Sequence, residues 1–302
     1  MHLSTASRWA VRGAFVFGML LMQRGAVRAK GEVVDTTERS CAVSGRVRLT
    51  VTSLDGRTSI VAGGDSQVRV KAVKEVRGAY GTEEARQYAS RVQIRIDQRG
   101  DRVEVEAKYP RSRRKAEDLP RVLVHFEIVT PKMSDVSAKV GSGLLRVDGI
   151  DGRIELSAGE ADLTARACSG QITADTKEGD LSLEDVRGDV AAHTSAGALK
   201  VTGLLEVLES EAADGRVEIR VLPGSVMKSE WRIRSAKGNL HLFLPGDFAA
   251  EIDVTTREGT IVTDHSIAVE DNLSRKRLKG RMNGGTMPLR IQTSEGDIHI
   301  LR

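Results

Sequence analysis

Glycine and aliphatic residues recur every nine positions through the middle of the chain. From Gly143 to Gly215 in steps of nine, seven of the nine positions are Gly, with Ala161 and Glu206 as the exceptions. The residue two places after each position is aliphatic in all nine units, and the residue four places after is apolar in eight. Alternation with a period of two is typical of a strand with one buried face. Each unit therefore predicts a corner at glycine followed by a short strand.

The pattern is stronger at a spacing of 18 residues. Two segments, 176–179 and 194–197, begin with Thr, end with Gly and are 18 residues apart. The same spacing separates four apolar residues, Ile150, Cys168, Val186 and Leu204. A coil of two strands and two corners accounts for this period.

We therefore predict an all-β fold, a β-solenoid (β-helix) of short strands with glycine corners and two strands in each turn of about 18 residues. One short strand cannot bury its apolar face, whereas coils stacked like on like share a continuous core. A β-meander or a sandwich is the alternative for evenly spaced strands. Neither of these requires the same class of side chain at each 18-residue step.

Three parts of the chain have different patterns. Residues 1–29 form a leader, and residues 30–133 predict a β-rich N-terminal cap region with one short helix, for which Thr82 is a suitable N-cap. Residues 134–302 form the predicted solenoid domain. Its C-terminal turns are irregular, because the glycine unit returns there at uneven spacing. We expect the last strand of the chain to close the stack.

The leader has the pattern of a secretory signal peptide. Arg8 and Arg12 precede an apolar run at 14–22, and a site for signal peptidase ends at Ala29. The run is about half the ~20 residues that a membrane span needs, so we predict no transmembrane span in the mature chain. The expected location is periplasmic, cell-surface or secreted. An uncleaved anchor stays open as an alternative, because two arginines make the cleavage region polar.

Composition changes the picture in two respects. Only 3% of the residues are aromatic, which argues against a nucleic-acid platform built on stacked rings. The formal net charge of +4 comes from the leader, since the rest of the chain has 42 basic and 42 acidic residues. We therefore expect no nucleic-acid partner.

Charge is unevenly distributed beyond the leader. Residues 66–121 contain 15 basic and 9 acidic residues, whereas residues 134–222 contain 9 basic and 17 acidic residues. Two basic runs are candidate contacts for a polyanion, either an anionic envelope polymer or lipid headgroups. The alternative is that both are solvated loops. The candidate residues are Arg111, Arg113, Arg114, Lys115, Arg275, Lys276 and Arg277.

Three later segments share a Thr/Ser-x-x-Gly unit followed by alternating aliphatic residues. They are 235–240, 256–261 and 293–300, and the last reads Thr-Ser-Glu-Gly-Asp-Ile-His-Ile. Together with Gly45–Leu49 and the Asp-Gly pair at 55–56, this pattern resembles the bacterial putative-adhesin family of β-solenoid domains, over residues 38–302. The resemblance implies a solenoid fold and an exported or envelope setting. It implies no catalytic residues, because the family is of unknown function.

No catalytic constellation or metal site is predicted. None of the six His residues forms a pair at a standard ligand spacing, and we expect no cofactor. Cys168 is expected to be a small buried residue, and whether it pairs with Cys41 stays open. Asp162, Asp180 and Asp189 are the only carboxylates spaced for glycan cleavage, and a solvated acidic ladder is the favoured interpretation.

The favoured function is that of an exported, non-enzymatic envelope protein, an adhesin-like scaffold or binding module. An envelope protein or an anionic envelope polymer is the expected partner. One alternative is a sensor or accessory subunit of an envelope-stress system. A glycan-active enzyme is the other. The pattern does not indicate the oligomeric state or the handedness of the coil.

Overall fold

A computed structural model of the chain describes residues 32–64, 66–77, 83–110, 120–269 and 274–302. This part of the chain contains one short helix and twenty strands, which are hydrogen-bonded into one open sheet. The predicted signal peptide at 1–29, the helix cap Thr82 and the basic run 111–115 lie outside the described residues.

The elements fall into three groups along the chain. The first group is β1 (Glu32–Ala42), β2 (Val47–Gly63), β3 (Gln67–Arg77), α1 (Glu83–Arg91), β4 (Gln93–Arg99), β5 (Arg102–Lys108) and β6 (Arg121–Pro131). The second is β7 (Ser134–Asp148), β8 (Asp151–Arg166), β9 (Ser169–Glu178), β10 (Leu181–Ala196), β11 (Leu199–Asp214) and β12 (Val217–Val221). The third is β13 (Trp231–Lys237), β14 (Leu240–Phe243), β15 (Ala250–Glu258), β16 (Ile261–Thr263), β17 (Ile267–Val269), β18 (Arg277–Met282), β19 (Pro288–Glu295) and β20 (Ile298–Leu301).

Strands β7 to β12 convert the 18-residue period into a parallel register. Leu163 of β8 is opposite Leu181 of β10, which is opposite Leu199 of β11. Ile154 is likewise opposite Ile172, the residue 18 positions later. Like residues therefore stack on like residues, and the predicted β-solenoid is confirmed.

Each coil has two strand segments, which we call A and B. In the coil of β8 the A segment is 152–158 and the B segment is 161–166. A segments pair with A segments and B segments with B segments, which forms an A face and a B face. Alternate side chains of both segments are buried and belong to one hydrophobic cluster. At about 25 cal/mol per Å² of apolar area, this shared burial is the main stabilising term.

Glycine is required at the corner from A to B because neighbouring coils are too close for a side chain. Gly197 has a φ of +126°, and a Cβ there would lie 2.3 Å from the carbonyl oxygen of Gly179. Gly179 has a φ of +128°, and its Cβ would meet the carbonyl oxygen of Ala161 at 2.5 Å. Both the left-handed backbone and the close approach exclude larger residues.

The hydroxyl that starts each Thr/Ser-x-x-Gly unit holds the same corner. Thr194 Oγ1 donates to the carbonyl oxygen of Ala196 at 3.3 Å, and Ser235 Oγ donates to that of Lys237 at 3.2 Å. Both hydroxyl residues are buried, with 4% of each surface exposed. The buried hydroxyl therefore satisfies a backbone carbonyl at the point where the chain turns.

One position predicted for the 18-residue apolar row is wrong. Ile150, Cys168 and Val186 are buried as expected, but the fourth buried residue is Leu205 and Leu204 is only partly buried. The cause is a pair of register shifts between β10 and β11. Asp185 has a φ of +55° at the first shift, and the second leaves Glu206 unpaired.

The expectation that the last strand closes the stack is also wrong. On the B face, β20 pairs with β14 on one side and with β16 on the other. On the A face, β19 lies between β13 and β15 in the same manner. The last coil is thus inserted between two coils that precede it in the chain. The C-terminal end is covered instead by antiparallel β18 and β17.

The N-terminal region is continuous with the solenoid through β2. This strand pairs in parallel with β7 from Val47 to Val61, and its other side pairs with β5 and β6. Antiparallel β3 covers β6, and β1 covers β3. The predicted short helix is confirmed as α1, and its buried residues are Ala85 and Ala89.

We expect Gly197→Ala to destabilise the protein by about 2 kcal/mol or more, because the new Cβ meets a carbonyl oxygen and adopts a strained φ. Gly246→Ala is the control, since a Cβ there has nothing within 4 Å. The measurement is urea unfolding followed by circular dichroism. Equal midpoints for the two variants would contradict the stacking account.

Candidate functional site

Carboxylate and amide side chains form a hydrogen-bonded ladder on the B face, just after the A-to-B corner. Asp162 Oδ1 accepts from the backbone N–H of Asp180 at 3.0 Å, and Asp180 Oδ1 accepts from that of Ala198 at 2.8 Å. Asn239 and Asp297 repeat the arrangement in later coils. The ladder explains why Asp or Asn follows the corner glycine. Asp162 and Asp180 therefore hold adjacent coils together.

Asp189 does not join this ladder. It lies on the A face opposite Gln171, and its Oδ1 is buried without a hydrogen-bond partner. The three carboxylates that the sequence suggested for glycan cleavage therefore do not converge on one site.

A polar groove of about 550 Å³ follows the A-to-B corner in the C-terminal coils. Its floor is formed by small residues, among them Ala236 and Ser294, and Gln292 and Thr255 lie along its side. Arg234 lines the A-face side, and Arg257 stands at a floor position in the coil of β15. Arg257 Nη2 donates to Ser294 Oγ at 3.2 Å. The groove thus combines hydroxyl, amide and guanidinium groups.

The second predicted basic run lies at one end of this groove. Arg277 is opposite Thr255 in the β15–β18 ladder, and Lys276 Nζ donates to the carbonyl oxygen of Arg257 at 3.0 Å. Arg275, Lys276 and Arg277 are all exposed. The first predicted run, Arg111, Arg113, Arg114 and Lys115, lies outside the described residues.

Two further arginines extend the positive surface along the A face. Arg232 and Arg290 are opposite each other on β13 and β19, and each donates its Nε to Glu230 Oε1, at 3.0 and 3.1 Å. Arg232 and Arg290 lower the pKa of the Glu230 carboxyl, chiefly through the Arg232 hydrogen bond. One carboxylate is shared by two cations, so this pair keeps a net positive charge. The sequence gives no signal for it, because the two residues are far apart in the chain.

Most cations around the groove have no carboxylate partner. Within the described ranges, none of the following has an Asp or Glu oxygen within 4.0 Å: Arg234, Arg257, Arg275, Lys276 and Arg277. Glu211 is the acidic residue that lines the groove. The groove, which we call the basic groove, is therefore electropositive and open to an anion.

A stacked histidine pair is a second feature that sequence spacing missed. His241 and His299 are 58 positions apart but are neighbours on β14 and β20, with ring centroids 4.9 Å apart and planes within 6°. Burial lowers the pKa of His241, and Arg216 and His299 lower it further, against Glu218, which raises it. Parallel rings direct their lone pairs in parallel, so the stack does not converge on a metal. In the described part of the chain, no group of three or more His, Cys, Asp or Glu has a metal-binding arrangement.

The two cysteines are both buried and free. Cys168 lies between the coils as the sequence predicts, and burial raises the pKa of its thiol. A buried thiol of raised pKa is poorly reactive.

The geometry agrees with a comparison against known families. The family model "Toastrack DUF4097" matches residues 39–301. The chain belongs to the Toastrack DUF4097 family. This confirms the putative-adhesin resemblance and a β-solenoid-like, open fold. No curated protein matches the chain.

Solved structures with the Toastrack architecture share little sequence with this chain. One is a putative adhesin from Bacteroides fragilis, with 10% identity over 88% of this chain and 96% of the other, and a TM-score of 0.44. A second is a putative lipid binding protein from Parabacteroides distasonis, with 9% identity over 88% and 96%, and a TM-score of 0.41. A third is a putative cell adhesion protein from Clostridium sporogenes, with 12% identity over 88% and 99%, and a TM-score of 0.28.

The Toastrack match does not indicate an enzyme family. In the part of the chain that the structure describes, no helix has the length and apolar character needed to cross a membrane.

The ladder predicts opposite outcomes for two substitutions at Asp180. Asp180→Asn should keep wild-type stability, because the amide oxygen accepts the same N–H, as Asn239 does. Asp180→Ala should lose about 1 kcal/mol, the value of one hydrogen bond. The free energy of unfolding in urea measures both, and an equal loss in the two variants would contradict the ladder.

The histidine stack predicts a loss of stability in mild acid. Because the pKa of His241 is lowered in the folded state, its unfolded form takes up a proton first, at about pH 6.5. The contribution is complete above that pH and is lost as the pH falls toward the folded-state pKa. His241→Gln should therefore lose less stability than the wild type between pH 7.5 and 5.5, as measured by thermal unfolding. An identical pH profile in the two proteins would contradict this role.

Proposed function

We propose that this Toastrack protein is an exported, non-enzymatic binding module of the bacterial envelope, which uses the basic groove to hold an anionic envelope polymer. The observation that carries the proposal is the convergence of unpaired cations from separate chain segments on one groove. Arg234, Arg257 and the run at 275–277 meet there. The predicted leader at 1–29 supports export.

The chemistry of the groove favours a polymer with repeated negative charges. Guanidinium groups bind phosphate and carboxylate through paired N–H donors, and the hydroxyl and amide groups between them can bond sugar or glycerol hydroxyls. The groove crosses the coils of β11, β13, β19 and β15, a distance of about 14 Å at 4.8 Å per step. An extended chain fits such a groove better than a compact ligand.

The stiffness of the solenoid supports a scaffold role. Each coil contacts its neighbours through parallel backbone hydrogen bonds, so the groove is held by rigid strands. A preformed groove binds without the entropy cost of ordering loops.

The test is binding of the purified protein to immobilised poly(glycerol phosphate) teichoic acid and to polygalacturonate at increasing salt. We expect binding that weakens as salt rises, because exposed charges are screened. Arg234→Gln with Arg257→Gln should weaken it by about fivefold to tenfold. Preference for one polymer would distinguish phosphate from carboxylate recognition.

The control removes the same charge elsewhere in the solenoid. Lys139→Gln with Arg187→Gln deletes two exposed cations outside the groove, and binding should change less than twofold by comparison. Equal effects of the two double variants would contradict a specific groove, and no binding to either polymer would overturn the proposal.

A further inference from the structure

A second cleft lies on the same corner edge, toward the N-terminal end of the solenoid. Its volume is about 680 Å³, within the range of small-ligand sites. It is formed by the corners of β2, β7, β8 and β9 on one side, and by α1 and the segments next to β5 and β6 on the other. We call it the tyrosine cleft.

The floor of the tyrosine cleft is bare backbone. A Cβ on Gly141 would lie 2.4 Å from the carbonyl oxygen of Leu54, and one on Gly159 would lie 2.4 Å from that of Gly141. Glycine is therefore required by the stacking of the coils. Its absence of a side chain leaves a depression that spans adjacent coils, so a ligand can approach the backbone closely.

Aromatic and aliphatic side chains form the walls. Two of the three tyrosines in the chain, Tyr88 and Tyr109, line this one cleft, and Leu54 beside them is 57% exposed. Tyr109 Oη donates to the carbonyl oxygen of Val122 at 3.1 Å, which fixes its ring. Tyr88 projects from α1, which Ala85 and Ala89 anchor by burial. A large exposed leucine next to fixed aromatic rings marks a binding surface.

Hydrogen-bonding side chains surround these apolar walls. Asp55 is held by Arg121, whose Nε donates to Asp55 Oδ2 at 3.1 Å. Glu160, Lys177 and Glu178 line the other side. The lining includes three carboxylates and two cations, so it repels a polyanion, in contrast to the basic groove.

This combination fits a sugar ring. A pyranose with equatorial hydroxyls has an apolar C–H face, which packs on the electron-rich face of a tyrosine, and hydroxyls at its rim, which carboxylates accept and ammonium groups donate to. A lipid chain needs an enclosed apolar tunnel, which three carboxylates at an open cleft do not provide. The cleft crosses four coils, a span of about 14 Å at 4.8 Å per step, which accommodates several sugar units.

We propose that the tyrosine cleft binds a neutral β-linked pyranose chain of the kind present in bacterial cell-wall glycan. The envelope setting of this ligand rests on the proposed function, whereas the sugar chemistry rests on the cleft alone. Leu54, Tyr88 and Tyr109 pack on the sugar rings, and Asp55, Glu160 and Glu178 accept their hydroxyls.

The experiment is isothermal titration of the purified protein with chitohexaose and cellohexaose. We expect a measurable dissociation constant for at least one of them. Tyr88→Ala should weaken binding by about tenfold, since it removes a stacking face, whereas Tyr88→Phe should keep it. Leu54→Ala, at an exposed position, tests the same wall without disturbing the helix.

Each outcome decides for or against the proposal. Absence of binding to both oligosaccharides, or equal affinity of wild type and Tyr88→Ala, would overturn it. Arg234→Gln with Arg257→Gln should leave oligosaccharide binding unchanged while it weakens polyanion binding. Failure of the tyrosine cleft is therefore distinguishable from failure of the basic groove.

Discussion

The close approach of parallel coils is the constraint on which the rest of the structure depends. Backbone hydrogen bonds set the distance between neighbouring strands at about 4.8 Å, and every side chain at a corner must fit within that distance. Glycine occurs where the chain turns because a Cβ would meet the carbonyl oxygen of the coil below. The buried hydroxyls and the Asp and Asn ladder then satisfy the polar backbone groups that the turn exposes. The family motif is thus a set of solutions to one packing problem.

The same constraint determines the surface. Outward-facing residues at equal positions of successive coils form straight rows, so a substitution in one coil changes a row that several coils share. Glu209, Arg232, Arg290 and Asp253 form one such row on the A face. Charges that are evenly mixed along the sequence can therefore be concentrated on the folded surface. An electropositive groove and a tyrosine-lined cleft occur on one edge of a molecule whose charges beyond the leader balance.

The regular part of the fold could be predicted from the sequence, because period and register are the same quantity when coils stack in order. Leu163, Leu181 and Leus at equal spacing must coincide in a solenoid, as they do here with Leu199. The bulges at Asp185 and Glu206 could not be predicted, since the apolar pattern continues through them. The neighbours His241 and His299, and Arg232 and Arg290, depend on the order of the last coils. Sequence order does not determine that order, so the two sets of contacts that define the C-terminal surface required the structure.

The insertion of β19 and β20 between earlier coils has a consequence for how the chain is assembled. During synthesis, coils as far as β14 can add to the stack as they emerge, each on the one before. The coil of β15 and β16 has no finished surface to join until β19 and β20 have been made and have docked on β13 and β14. The C-terminal third therefore folds as one late step, and until then the apolar surface of β14 is open. A block to this step leaves a growing sheet edge exposed, which is the form in which such proteins associate with one another.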